Sequence, residues 1–277
     1  MTKMLKAGAI AALTVFGSAN AAVVSNVDLF SQNQAQVADS VIDANSISSQ
    51  VQATGPNAGT ILGDYRELIV QKKADTLSDA NIPANGLNDP DALIKMKVIG
   101  GNLNYSTDSG VRGTGIVRWD GIAQSASGGP VQTIAYDGLA GVYLGNVLTD
   151  QFELMTVFSD GGFTFRIEAY TFGMGGAQWS AVDIVSISHP MPATTYIPLS
   201  AFKACGFSDA VVTVTCANGG VDFSNLGALQ AIIDPLGTQV SLDLTLNQVT
   251  VVPEPSGIAL VGLALLGLGV TARRRKA

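Results

Sequence analysis

Histidine is almost missing from this chain: among 277 residues there is one, His189. That excludes the usual His-rich zinc centres. It leaves a Ser-His-Asp catalyst with a single candidate base, set between Ser188 and Pro190, and no G-x-S-x-G elbow accompanies it. A solvated loop residue is the plainer reading of His189. Cysteine is nearly as rare, with Cys205 and Cys216 alone and no C-x-x-C redox pair. Charged residues make up 13% of the chain and aromatics 6%. No P-loop, H-E-x-x-H or EF-hand loop occurs. Gly267-x-Gly269-x-x-Ala272 imitates a dinucleotide fingerprint, but it lies in an apolar terminal run and carries no such meaning.

What the chain does have is concentrated at its ends. Lys3 and Lys6 precede an apolar run from Ala7 to Phe16, and then Ala19-Asn20-Ala21. This is the charge, length and small-residue order of a signal peptide cut after Ala21, with Ala19 and Ala21 at the cleavage site and signal peptidase as the partner. The run is too short to span a bilayer, and a buried N-terminal core helix is the alternative. At the other end Pro253-Glu254-Pro255 is followed by the uncharged segment Ser256–Ala272 and by Arg273-Arg274-Arg275-Lys276. The prolines fix an extended segment around Glu254 that a processing enzyme could bind. The next 17 residues would span about 25 Å as a helix, a slightly thin transmembrane anchor. The basic cluster would hold the tip in the cytoplasm and leave the body outside.

These three parts, in this order, resemble the PEP-CTERM protein-sorting signal. The resemblance covers about residues 252–277. It implies handling by exosortase, a membrane-bound cysteine transpeptidase-like enzyme, in a Gram-negative host that makes exopolysaccharide. The sorting residues it marks are Pro253, Glu254, Pro255, Arg273, Arg274 and Arg275. An ordinary anchor would give no reason for Pro-Glu-Pro at the membrane face.

Net charge is −7, and without residues 1–21 and 256–277 it becomes −13, nine basic residues against 22 acidic. An acidic body disfavours nucleic acid and anionic membrane surfaces as partners and is compatible with divalent cations. In an exported chain, Cys205 and Cys216 are most simply a disulfide closing a short surface loop; two free buried thiols are the alternative.

The body reads as all-β, an antiparallel jelly-roll-like sandwich over 95–252. Residues 22–94, rich in Ser, Asn, Gln and Ala at the start, are expected to be an irregular N-terminal part, with a strand plausible over 60–70. Ile116–Trp119 ends in an Asp-Gly turn. Phe152, Leu154, Thr156 and Phe158 alternate with polar residues up to Ser159-Asp160-Gly161-Gly162. Phe163, Phe165, Ile167 and Ala169 then alternate with Thr164, Arg166, Glu168 and Tyr170, which reads as a hairpin. Val240, Leu242, Leu244 and Leu246 form a half-buried last strand leading into the tail. A weaker resemblance joins Tyr196-Ile197-Pro198-Leu199-Ser200-Ala201-Phe202, the segment Val221–Asp234 and the Leu242–Leu246 strand to galactose-binding-like jelly-roll domains. It implies fold and carries over no ligand site.

Candidate chemistry is thin. Glu153, Glu168 and Asp183 could pair for glycoside hydrolysis, or simply line a solvated strand face. Trp119, Trp179, Tyr143 and Tyr170 could stack on sugars, though core packing is the commoner use. Oxygen-rich turns at Asp89/Asp91, Asp222 and Asp243 could hold a structural Ca²⁺; no other cofactor is expected. The expectation is an exported, non-enzymatic structural or adhesive protein, anchored in the inner membrane before processing and then placed at the cell surface or in the matrix, with exopolysaccharide as candidate partner. A surface glycan-binding module is the alternative, and a secreted glycan hydrolase the third reading.

Overall fold

The computed structural model describes residues 23–75, 91–123, 128–130 and 133–254. In chain order the strands are β1 (Ser25–Asp28), β2 (Gln34–Asp39), β3 (Asn45–Gln52), β4 (Tyr65–Asp75), β5 (Ile94–Ile99), β6 (Asn102–Thr107), β7 (Val111–Trp119), β8 (Gly128–Pro130), β9 (Asp150–Ser159), β10 (Phe163–Thr171), β11 (Trp179–Ser186), β12 (Ala193–Pro198), β13 (Val212–Ala217), β14 (Leu226–Ile233) and β15 (Asp243–Pro253). They form two antiparallel sheets. One runs β12-β9-β15-β6-β5-β2, with β1 also on β15; the other runs β13-β11-β10-β14-β7-β4-β3-β8. The only helical pieces among the described residues are short 3-10 turns at Gly55–Asn57, Leu62–Asp64 and Leu199–Lys203. The signal segment with Ala19 and Ala21, and the tail from Pro255 through Arg273, Arg274 and Arg275, lie outside the described residues.

Two expectations are corrected. The first is the irregular segment 22–94: β1 to β4 lie within it and belong to both sheets. Polar composition misleads there because the polar side chains have structural partners. Gln34 is buried and accepts from Arg66 Nε at 2.8 Å, while its own amide donates to the Ser49 carbonyl at 2.8 Å. Ser46 and Ser48 are buried on β3.

The second is the hairpin at Ser159–Gly162. Strand β9 pairs with β12 and β15, whereas β10 pairs with β11 and β14. The turn therefore carries the chain from one sheet to the other. Leu154 and Thr156 of β9 and Phe163 and Phe165 of β10 line one small cavity between the sheets. Alternation is identical in a hairpin and in such an arch, since both bury one face of each strand.

The last strand starts later than expected, at Asp243, with Val240 exposed and outside it, and after Leu246 it shifts phase. Leu242, Leu244 and Leu246 are buried, register slips occur around Leu246–Gln248, and Val249 and Val251 take over the inward positions. A bulge of this kind moves the apolar phase by one residue without ending the strand. The Tyr196–Phe202 segment is strand to Pro198 and a 3-10 turn thereafter.

Between the sheets lies one apolar core holding a buried ion pair. Arg66 Nη1 meets Asp28 Oδ1 at 3.0 Å with both side chains fully buried. Trp119 Nε1 donates to Asp28 Oδ2 at 2.9 Å, and the Phe30 amide donates to Oδ1 at 2.8 Å. Burial pushes the Asp28 carboxyl above its ordinary range, opposed by Arg66 and these donors. Facing positions are also size-matched: a Cβ on Gly115 would lie 2.7 Å from Met96 Cε and from the Tyr105 ring, so the sheets close on a residue without a side chain.

Candidate functional site

The sorting segment starts inside the fold. Val252 pairs with Gln151 and Pro253 with Asp150 in the β15–β9 ladder. The Glu254 amide donates to the Thr149 carbonyl at 2.7 Å, and Pro253 and Glu254 are both half-buried. Thr149 is placed by a turn built from Asn146 and Asp150. Asp150 Oδ2 accepts from the Asn146 amide at 2.7 Å, and Asn146 Oδ1 accepts from the Leu148 amide at 2.9 Å.

A surface pocket of about 230 Å³ opens beside this turn, lined by Tyr143, Asn146, Val147, Lys203, Asp222 and Ser224 among others. Tyr143 is 54% exposed. Ser224 donates to Asp222 Oδ1 from its hydroxyl at 2.7 Å and from its amide at 2.9 Å. The Ser224 hydroxyl, chiefly, holds the Asp222 carboxyl below the usual carboxylate range, and the Lys203 charge adds to it. Lys203 Nζ lies 3.2 Å from the Gly220 carbonyl. An exposed phenol ring, an amide, an ammonium and an ionised carboxylate therefore share one concavity, a combination suited to a polyhydroxylated ligand. Tyr143 and Asp222 were legible as candidates in the sequence. Asn146 and Lys203 were not, because no local pattern marks them and only the fold brings them together.

The disulfide begins two residues along the chain from Lys203. Cys205 and Cys216 are bonded, with Cα atoms 5.2 Å apart. The bridge ties the segment after the Leu199–Lys203 turn to β13, an edge strand.

The other aromatic candidates divide. Trp119 is 1% exposed and holds Asp28, so it is core and presents no platform. Tyr170 and Trp179 sit side by side on the outer face of the second sheet, ring centroids 6.3 Å apart, and Tyr136 packs on Tyr170 at 4.9 Å. Next to them a polar ladder crosses five strands. Asp183 accepts from Arg166 Nε at 2.7 Å, and Arg166 Nη1 reaches Glu168 at 3.3 Å. Glu168 Oε2 accepts from Gln230 at 2.6 Å and from the Tyr170 hydroxyl at 2.9 Å. Arg118 then joins Gln230 to Glu67, at 3.2 and 3.1 Å. Burial, then the neighbouring Glu168 carboxylate, raises the Tyr170 hydroxyl far above its ordinary value.

The proposed carboxylate set does not assemble. Glu168 and Asp183 are both held by Arg166, while Glu153 is on β9 in the other sheet and accepts from Gln248 at 3.1 Å. His189 contacts Ser186 Oγ at 3.1 Å and bridges to Ser159 through its backbone. Of the oxygen-rich turns, Asp89 is outside the described residues. Asp243 donates its amide to Asp160 at 2.8 Å, and its carboxyl is raised by burial and by Asp160. Among the described residues no three His, Cys, Asp or Glu side chains are grouped to hold a metal ion.

No curated protein matches the chain. Among solved structures, one titled "Structure of PfGH50B" is similar at 9% sequence identity and a TM-score of 0.36, over 59% of this chain and 22% of that one. This chain thus spans about a fifth of that structure's length, and at this score the likeness carries no argument. Residues 251–276 match the PEP-CTERM protein-sorting motif. The chain therefore carries a PEP-CTERM sorting motif, which implies an exported surface protein, anchored at the membrane before processing and processed by exosortase.

Proposed function

We propose that this protein is a structural or adhesive component of an exopolysaccharide matrix, delivered by signal peptidase and exosortase and without catalytic activity. The observation that carries this reading is the continuity of β15 with the sorting motif: a core strand of the sandwich runs directly into Pro253 and Glu254. The body is thus built as cargo for the tail. The chain's repeated passage between two antiparallel sheets supports a jelly-roll-like sandwich. The carboxylates best suited to hydrolysis are committed to Arg166, which favours a non-catalytic role. Intact-mass measurement on protein recovered from the envelope is the test. A product beginning at Ala22 and lacking Arg273–Lys276 is expected, co-extracting with exopolysaccharide. Full-length Ala22–Ala277 from exosortase-competent cells would overturn the reading.

A second reading, glycan binding, is favoured by the Tyr143 pocket. Affinity electrophoresis in gels containing the host's exopolysaccharide should show retardation that Tyr143→Ala abolishes.

A further inference from the structure

The folded body leaves no spacer before the tail. Glu254 is fixed to the 146–150 turn by its bond to the Thr149 carbonyl, and the apolar run begins at Ser256 in the sequence. Two residues of extended chain reach at most about 7 Å. The headgroup zone on one side of a bilayer is about 6 Å deep. With Ser256 at the edge of the hydrocarbon, the end of the sandwich around Glu254 has to stand within the headgroups.

The residues at that end suit such a position. Leu148, one residue before Thr149, is 78% exposed, and Tyr143 is 54% exposed. Val23 and Val24 lie alongside, because the Val24 amide donates to the Val251 carbonyl at 2.8 Å, and they are 52% and 39% exposed. Apolar side chains with a phenol ring are what an interfacial surface presents, and Lys203 adds a cation able to meet lipid phosphate. Three acidic groups share the end: Asp222 lies against Lys203, Glu254 is half-buried, and Asp150 is buried with its Oδ2 accepting from the Asn146 amide. Exposed apolar residues also occur at the opposite end, where Ile187 and Met191 flank the His189–Ser159 bridge, but no tail leaves from there.

We propose that the Tyr143–Leu148 end of the sandwich is a lipid-interface seat, pressed against the bilayer while the tail is still in the membrane. This rests on the membrane-anchored intermediate that the sorting motif implies. The test uses the full mature chain reconstituted into phosphatidylcholine vesicles, with and without lipids brominated near the headgroup end of the acyl chains. A Leu148→Trp variant should lose most of its added indole emission in brominated vesicles, and a Met191→Trp variant should keep its own. Equal quenching of the two, or none in protein that floats with the vesicles, overturns the seat and leaves the anchor standing. Failure of the full chain to float with vesicles overturns the anchor and the seat together.

Discussion

Replacing Asp28 tests whether the inter-sheet ion pair holds the sandwich together. Asp28→Ala removes the acceptor of three donors at once: Arg66 Nη1, Trp119 Nε1 and the Phe30 amide. Arg66 keeps Gln34 and the Gln32 carbonyl, but its charge stays fully buried and uncompensated. Breaking a buried pair from one side typically costs about 3–5 kcal/mol, a range that includes the stranded donors. For a domain of this size that corresponds to a fall in Tm of roughly 10 °C. Asp28→Asn should cost less, because Oδ1 can still accept from Phe30 and Arg66, while its amide group would face the Trp119 N–H. The double variant Asp28→Leu/Arg66→Met should recover most of the loss, since neither charge remains to be solvated. Urea unfolding followed by tryptophan emission measures all three. An Asp28→Ala cost below about 1 kcal/mol, or a double variant no more stable than the single one, would refute the reasoning.

Reducing the Cys205–Cys216 bridge should lower stability by about 3 kcal/mol at most, because it closes a short loop, and should leave the far-UV spectrum folded since the bridge pins an edge strand; thiol counting with and without reductant checks it. Asp222 should titrate below the ordinary carboxylate value of about 4, and Ser224→Ala should move it back up, as read by carboxyl NMR shifts. Its folded-state value is depressed, so its contribution to stability is present above the unfolded value and is lost as pH falls through the folded one; a contribution that grew on acidification would contradict the Ser224 contact. Gly115→Val should destabilise the sandwich by about 1–3 kcal/mol by pushing Met96 and Tyr105 apart, detectable as a lower midpoint in the same urea assay.

The sequence showed which residues face inward more clearly than it showed which strands meet. The alternation in β10 is as expected, that in β9 holds through Phe152, Leu154 and Thr156 and fails at Phe158, which is exposed while Ser159 is buried, and Leu242, Leu244 and Leu246 are buried as expected, because side-chain alternation is a property of a single strand. Partner choice belongs to the whole chain, so the Ser159–Gly162 turn read as a hairpin when it is a crossover. Strands β2 and β3 were hidden for another reason. Their Gln and Ser side chains bind Arg66 and neighbouring backbone, and a segment that satisfies buried polar groups looks like loop in composition. Of the candidate site, Tyr143 and Asp222 carried visible signals, while Trp119 carried the same signal and lies in the core. Pro253 and Glu254 were recognisable as a motif, yet nothing in the motif shows that its first residues are also sheet.

The position of β15 bears on how the molecule comes into being. It is the strand nearest the tail, yet it lies inside its sheet, with β9 on one flank and β6 and β1 on the other. Ser25 pairs with Val251, so that contact closes across nearly the whole body. Pairing at such sequence separation is slow, because the intervening chain must be ordered before the contact forms. During export, β1, β6 and β9 reach the far side first and wait with open edges until the final segment emerges. Open edges of this kind invite pairing between molecules. A sheet that needs its last strand at its centre can close only once the chain up to Pro253 is free to pair.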